Sequence, residues 1–133
     1  SPLAAPSGYV AVDKHTLQHV RHPNVFALGD VADLPTSKTA AAICSQVPVV
    51  VHNLHQHLEG RPLTAKYDGY TSCPILVGHR KLILAEFRYG QEVWETFGAF
   101  ADQGKPSRRA FLLKRYVFPA VYWPFFLRGT WYG

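Results

Sequence analysis

The feature that most constrains this chain is the run His22-Pro-Asn-Val-Phe-Ala-Leu-Gly-Asp30, with Leu34-Pro-Thr-Ser-Lys-Thr39 close behind it. A short apolar strand, Val25 to Leu28, ends at Gly-Asp, and a polar turn then opens a helix. That order suits a flavin. The strand delivers the Asp30 carboxylate, which can accept hydrogen bonds from ribityl hydroxyls. Gly29 lets the backbone approach a cofactor with no Cβ in the way. A helix beginning near Ser37 aims its N–H groups, with Lys38, at the anionic edge of a reduced flavin. The plainer readings are a Gly-Asp turn after a strand and a solvated lysine, although a cation in a first helical turn opposes the dipole.

Around this run the chain reads as two units. Tyr9 to Asp13 alternates apolar and polar and predicts a short strand. Leu17 to His22 is a connecting turn. Thr36 or Ser37 can cap a helix through Ala40, Ala41, Ala42 and Ile43 to about Leu58, which Pro48 should kink or split near Ser45. Gly60-Arg-Pro62 closes that helix. Tyr67 to Ile75 and Lys81 to Phe87 predict two strands joined across Gly78-His79. Glu92 to Phe100 reads as a further strand or as irregular chain, 102–106 as a loop, and Ser107 as the start of a helix. Tyr116 to Leu127 is uncharged and broken by Pro119 and Pro124.

The 133 residues match one domain or a piece of a larger protein, and the absence of methionine favours a piece. No Gly-x-Gly-x-x-Gly occurs, so the usual dinucleotide fingerprint would have to lie upstream. The formal net charge is +5, a sign that favours phosphate. The basic residues bracket apolar runs and do not track a nucleic-acid backbone, which argues for a membrane surface and against nucleic acid. Tyr116, Phe118, Tyr122, Trp123, Phe125, Phe126 and Trp131, flanked by Lys114, Arg115 and Arg128, form an aromatic and basic band of the interfacial-anchor kind. An ordinary core or an oligomer interface is the alternative. No run is long enough to span a bilayer.

Two cysteines at distant positions make neither a disulfide framework nor a zinc site. Cys44 on the helix reads as packing. Cys73, in a strand before a proline, reads as a small buried hydrophobe unless positive charge nearby makes it a thiolate. His52 and His55 share a helix face, but no carboxylate or cysteine joins them at ligand spacing. The seven histidines therefore read as polar surface, and no metal site is expected.

These segments together resemble the sulfide:quinone oxidoreductase family, in particular its animal mitochondrial type. The carriers are Asn24-Val-Phe-Ala-Leu-Gly-Asp30, residues 34–42, Tyr67-Asp-Gly-Tyr-Thr-Ser-Cys-Pro74, Ile83-Leu-Ala-Glu-Phe87 and the stretch 122–129. The first is shared with the wider two-dinucleotide-fold flavoproteins, and the Cys73 string is the specific one. The resemblance implies an α/β fold: the C-terminal part of a Rossmann-like flavoprotein with two dinucleotide-binding domains, plus a small α+β membrane-facing region. Residues 1–60 would be the tail of the FAD-binding domain, and 61–133 the region carrying the redox cysteine and the membrane and quinone segment.

By the same resemblance Cys73 matches the second of two redox cysteines, the first lying upstream, while Asp30 and Lys38 match flavin-contacting residues. The implied cofactor is FAD. The implied partners are hydrogen sulfide, ubiquinone, a sulfur acceptor (glutathione or sulfite) and the membrane surface, with a peripheral or monotopic place on the mitochondrial inner membrane. Without the nucleotide loop and the partner cysteine, these 133 residues alone should not turn over. Two alternatives stay open: a quinone reductase of the type II NADH dehydrogenase kind, for which Cys73 would be dispensable, and a non-catalytic module that binds membrane surfaces.

Overall fold

In the computed structural model, which describes residues 1–130, the longest element is helix α1, Ala40–Leu58. Thr39 caps it: extended at its own backbone, it accepts a hydrogen bond from the Ala42 N–H at 3.2 Å. The start falls later than the sequence predicts because the approach to the helix is tied elsewhere. Thr71 Oγ1 lies 3.0 Å from Thr39 Oγ1 and donates to the Ser37 carbonyl. Lys38 therefore precedes the helix instead of sitting in its first turn. Nor does Pro48 split α1, which runs through it unbroken. The ring costs one backbone bond, and side-chain anchors on either side hold the axis. Gln46 Oε1 accepts from the Gly29 N–H at 2.7 Å. Buried Asn53 donates to the carbonyls of Thr16 and Ala65 and accepts from the Ala65 N–H.

Residues 1–34 wind across one side of α1. The predicted strands at Tyr9–Asp13 and Val25–Leu28 are extended but form only single bridges. Val10 meets Ala32 in parallel, Val12 meets His19, and Gln18 meets Phe26. Each short stretch changes partner within a residue or two, so no ladder propagates. Val12, Leu17, Ala32, Leu34 and Tyr67 form the core here, with Val49 and Val50 of α1 against it.

Strands β1, Thr71–Gly78, and β2, Lys81–Phe87, form an antiparallel two-stranded sheet with Ser72 opposite Glu86 and Cys73 opposite Ala85. β1 starts four residues later than predicted. Tyr67 is committed to the core, and Gly69 adopts φ +88 with the Tyr89 ring so close that a Cβ there would meet it at 2.4 Å. Glu92 to Phe100 is mostly turns, with one bridge from Val93 to Phe87.

Residues 108–126 are helical throughout. α2, Arg108–Leu112, is capped by Ser107, whose hydroxyl accepts from the N–H groups of Arg109 and Ala110. A wide π-type stretch, Leu113–Val117, leads into α3, Phe118–Val121, and a second one covers Tyr122–Phe126. The N–H groups of Phe118 and Leu127 reach back five residues, to the carbonyls of Leu113 and Tyr122. These wide turns flank Pro119 and contain Pro124, and they absorb the missing donors and the ring clash that would break a regular helix. Trp131 of the predicted aromatic band lies outside the described residues. The architecture is thus a small α/β unit with a two-stranded sheet. Among the described residues no helix is long and apolar enough to cross a membrane.

Candidate functional site

A cavity of about 770 Å³ opens between the N-terminal half of α1, the hairpin and the helical segment 108–126. Cys73, the third residue of β1, lies on its wall and is exposed. The facing wall is apolar, with Val117, Phe118, Tyr122 and Phe126 lining it and the Tyr122 and Phe126 rings stacked at 5.1 Å. The Lys114 ammonium donates to the carbonyl of Pro74 at 2.9 Å, which ties the helix to β1 beside Cys73.

The polar corner of this cavity is built on Glu86. Its Oε1 accepts from the Tyr70 hydroxyl at 2.6 Å and from the Thr96 hydroxyl at 3.1 Å. Its Oε2 accepts from the Thr96 N–H at 2.8 Å and from Gln103 Nε2 at 2.9 Å. Burial pushes this carboxyl up, but the bonds from Tyr70, Thr96 and Gln103 outweigh it and hold the group below its ordinary range. Burial, reinforced by the Glu86 bond and charge, pushes the Tyr70 hydroxyl up to about 12. Arg88 stacks on Trp94 with its guanidinium carbon 3.5 Å from the ring centroid. Its Nε lies 3.0 Å from Asp68 Oδ2 but off the N–H direction, so that contact is an ion pair without a good hydrogen bond.

The second cysteine is on the same cavity. Cys44 of α1 lines it but is buried, and burial pushes its thiol up. A buried, protonated thiol is a poor nucleophile, so Cys44 keeps its packing role while sharing a wall with Cys73.

Asp30 and Lys38 meet at a separate, narrow crevice with Gly29, Thr39 and Gln46. Asp30 is exposed and offers both carboxylate oxygens. Lys38 turns its ammonium back, donating to the Ala32 carbonyl at 2.8 Å and lying 4.2 Å from the Tyr9 ring centroid. Two of its three N–H donors stay available. Gly29 adopts φ +71, and a Cβ on it would meet Ile43 at 3.4 Å. The glycine therefore serves a left-handed turn packed on α1, and open space for a cofactor is not what requires it. At the mouth of this closed crevice Asp30 supplies a hydrogen-bond acceptor and Lys38 keeps free donors, the two kinds of group that a flavin would need.

Sequence reasoning missed Gln46, Tyr70 and Glu86. Gln46 had a readable signal, a polar side chain within the apolar run of α1. Glu86 had one too, a lone carboxylate in a nearly apolar strand. Tyr70 had none. His52 bonds Thr64 and His55 meets Glu59, and no cluster of three or more metal-ligating side chains occurs among the described residues.

No protein-family model matches the chain. A Dictyostelium discoideum protein named sulfide:quinone oxidoreductase, mitochondrial, is 58% identical over the whole chain, and a Mus musculus protein of the same name is 45% identical over the whole chain. Over its whole length the chain is thus similar to mitochondrial sulfide:quinone oxidoreductases. It matches the C-terminal part of these relatives and spans 29% of the length of each. A Flammulina velutipes protein named FAD-dependent oxidoreductase is 34% identical over 50% of the chain and 21% of its own length. Among solved structures, a chain in the cryo-EM structure of the Tetrahymena thermophila mitochondrial ATP synthase tetramer aligns with a TM-score of 0.70 and 34% identity. That alignment covers 84% of this chain and 27% of the other. Sulfide:quinone oxidoreductase relatives thus cover the hairpin, the cavity and the helical segment alike.

Proposed function

We propose that this chain is the C-terminal part of a mitochondrial enzyme that oxidises hydrogen sulfide and passes the electrons through FAD to ubiquinone. The observation that carries the reading is an exposed Cys73 on the wall of a large apolar cavity, in a chain similar over its whole length to mitochondrial sulfide:quinone oxidoreductases.

Cys73 is the sulfur-handling residue, paired with a cysteine outside these 133 residues. Sulfide attacks the bridged pair: a bond forms between its sulfur and Cys73 Sγ, and the bridge breaks toward the partner, which leaves as a thiolate. Glutathione or sulfite then takes the outer sulfur of this persulfide, leaving Cys73 as a thiolate. Re-forming the bridge releases two electrons. A bound flavin, held by Asp30 and Lys38, would supply the two-electron redox chemistry that links this step to the quinone. Asp30 would accept hydrogen bonds from the cofactor's hydroxyls, and the free donors of Lys38 would stabilise negative charge at its edge. Lys114, held on the Pro74 carbonyl, keeps the helix against the Cys73 strand. The apolar wall around Phe118 and Tyr122 suits a lipid-soluble quinone. Leu112, Tyr116, Trp123, Phe125 and Leu127 are exposed beside Lys114, Arg115 and Arg128, which supports docking of this end on the inner membrane in a peripheral or monotopic manner.

The test is sulfide-dependent reduction of a ubiquinone analogue by the full-length enzyme, followed through the flavin absorbance. Cys73→Ser should abolish turnover while leaving a yellow protein. Normal turnover by that variant would remove Cys73 from the reaction.

A further inference from the structure

A second cavity, about 430 Å³, lies at the opposite end of the hairpin, and cations and apolar groups line it without any carboxylate. Arg80 comes from the turn between β1 and β2, Arg108 from the first residue of α2, and Arg115 from the wide turn that follows, with His79, Phe111 and Tyr116 beside them. We infer that this cavity is a phosphate-binding site, built to hold a phosphate monoester or diester whose remainder is apolar.

The arginines are brought together by a fixed piece of backbone. Leu82 and Ser107 exchange both N–H···O bonds, at 3.1 and 2.9 Å, so the foot of the hairpin is clamped to the start of α2. Arg80 is two residues from one side of that clamp, and Arg108 is next to the other. Arg80 also holds φ +53, a left-handed conformation at which glycine or asparagine is the low-cost choice. The position thus carries a guanidinium despite its backbone cost. No ion pair of Arg80, Arg108 or Arg115 occurs among the described residues, and the Arg115 guanidinium carbon lies 5.5 Å from the ring centroid of its neighbour Tyr116. Three permanent cations around one cavity repel each other unless an anion sits among them. Arginine forks match the tetrahedral oxygens of phosphate in pairs. Leu112 and Tyr116 of the cavity lining are exposed beside these cations, so the ligand's other end meets apolar surface. This site is separate from the Cys73 cavity and does not rest on the reaction proposed above.

The experiment measures binding of two probes to the full-length protein: inorganic phosphate by calorimetry, and phosphatidylcholine vesicles with and without phosphatidic acid by flotation. Arg80→Gln and Arg115→Gln should each weaken binding about tenfold, as expected for loss of one charge-assisted contact. Arg80→Lys should recover only part of it, since a point charge replaces the fork. Lys66→Gln, an exposed cation elsewhere on the chain, is the control and should leave binding unchanged. Far-UV circular dichroism checks that each variant is folded. Tight inorganic phosphate identifies a soluble ligand, whereas capture by phosphatidic acid vesicles alone identifies a lipid headgroup, and either upholds the site. Failure of both probes, or equal weakening by Lys66→Gln, would overturn it.

Discussion

Tyr70 and Glu86 are joined by a 2.6 Å hydrogen bond that ties the approach to β1 to the end of β2, at the edge of the cavity carrying Cys73. The bond runs from a neutral hydroxyl to a carboxylate that three other donor groups also hold. Tyr70→Phe removes one charge-assisted bond and leaves the remaining donors in place, so it should cost about 1.5 kcal/mol of stability, the low end for bonds to charged groups. Urea unfolding of the two proteins measures it. An unchanged midpoint would mean that water replaces the hydroxyl at no cost.

The same pair sets two edges of the stability–pH curve. Glu86 is held below its unfolded value, so the folded protein binds fewer protons. Its contribution is present above the unfolded carboxyl pKa and is lost as pH falls through the folded value. Tyr70 is raised from 10.0 to about 12, so its contribution is present below 10.0 and is lost as pH rises between those values. Glu86→Gln should flatten the acid edge in thermal melts taken across pH, and Tyr70→Phe should flatten the alkaline edge. An acid edge that survives Glu86→Gln would assign it to other carboxylates.

The two cysteines should separate by reactivity. Cys73 is exposed on the cavity wall, while Cys44 is buried on the same cavity with its thiol pushed up by burial. Under reducing conditions followed by a neutral-pH pulse of iodoacetamide, Cys73 should label at least tenfold faster. Mass spectrometry of the peptides reads the ratio. Equal labelling would show that α1 opens readily at Cys44.

What could be read in the sequence were the features carried by local chemistry. The hairpin between Thr71 and Phe87 follows from its apolar strands and short turn, and the helix at Ser107 from its capping hydroxyl. The boundaries that went astray were set by contacts distant in the chain. Thr71 fixes Ser37 and Thr39 and so delays α1, and Tyr89 packed on Gly69 delays β1. Extended segments such as Val25–Leu28 look like strands locally, but a ladder depends on partners that local pattern does not specify. The shared cavity of Cys44 and Cys73 was hidden for the same reason, since it exists only once α1 lies beside the hairpin.

Gly29 and Gln46 form a unit that holds Asp30 in place. Gln46 is buried and accepts the Gly29 N–H, while Gly29 takes φ +71 against Ile43. Gly29→Ala imposes a left-handed conformation on a residue with a Cβ, at about 1–2 kcal/mol. It also tightens the contact with Ile43. Gln46→Leu keeps the volume but leaves the part-buried Gly29 N–H without its acceptor, at about 1 kcal/mol. Both changes act through the turn that carries Asp30, so both should lower the melting temperature and weaken flavin retention in the full-length protein. Asp30→Asn should weaken flavin retention with little change in melting temperature of the flavin-free protein, because Asp30 is exposed. Melting curves and the flavin content of purified protein, measured side by side, separate the two effects. Full flavin retention by Asp30→Asn would take the cofactor away from this crevice.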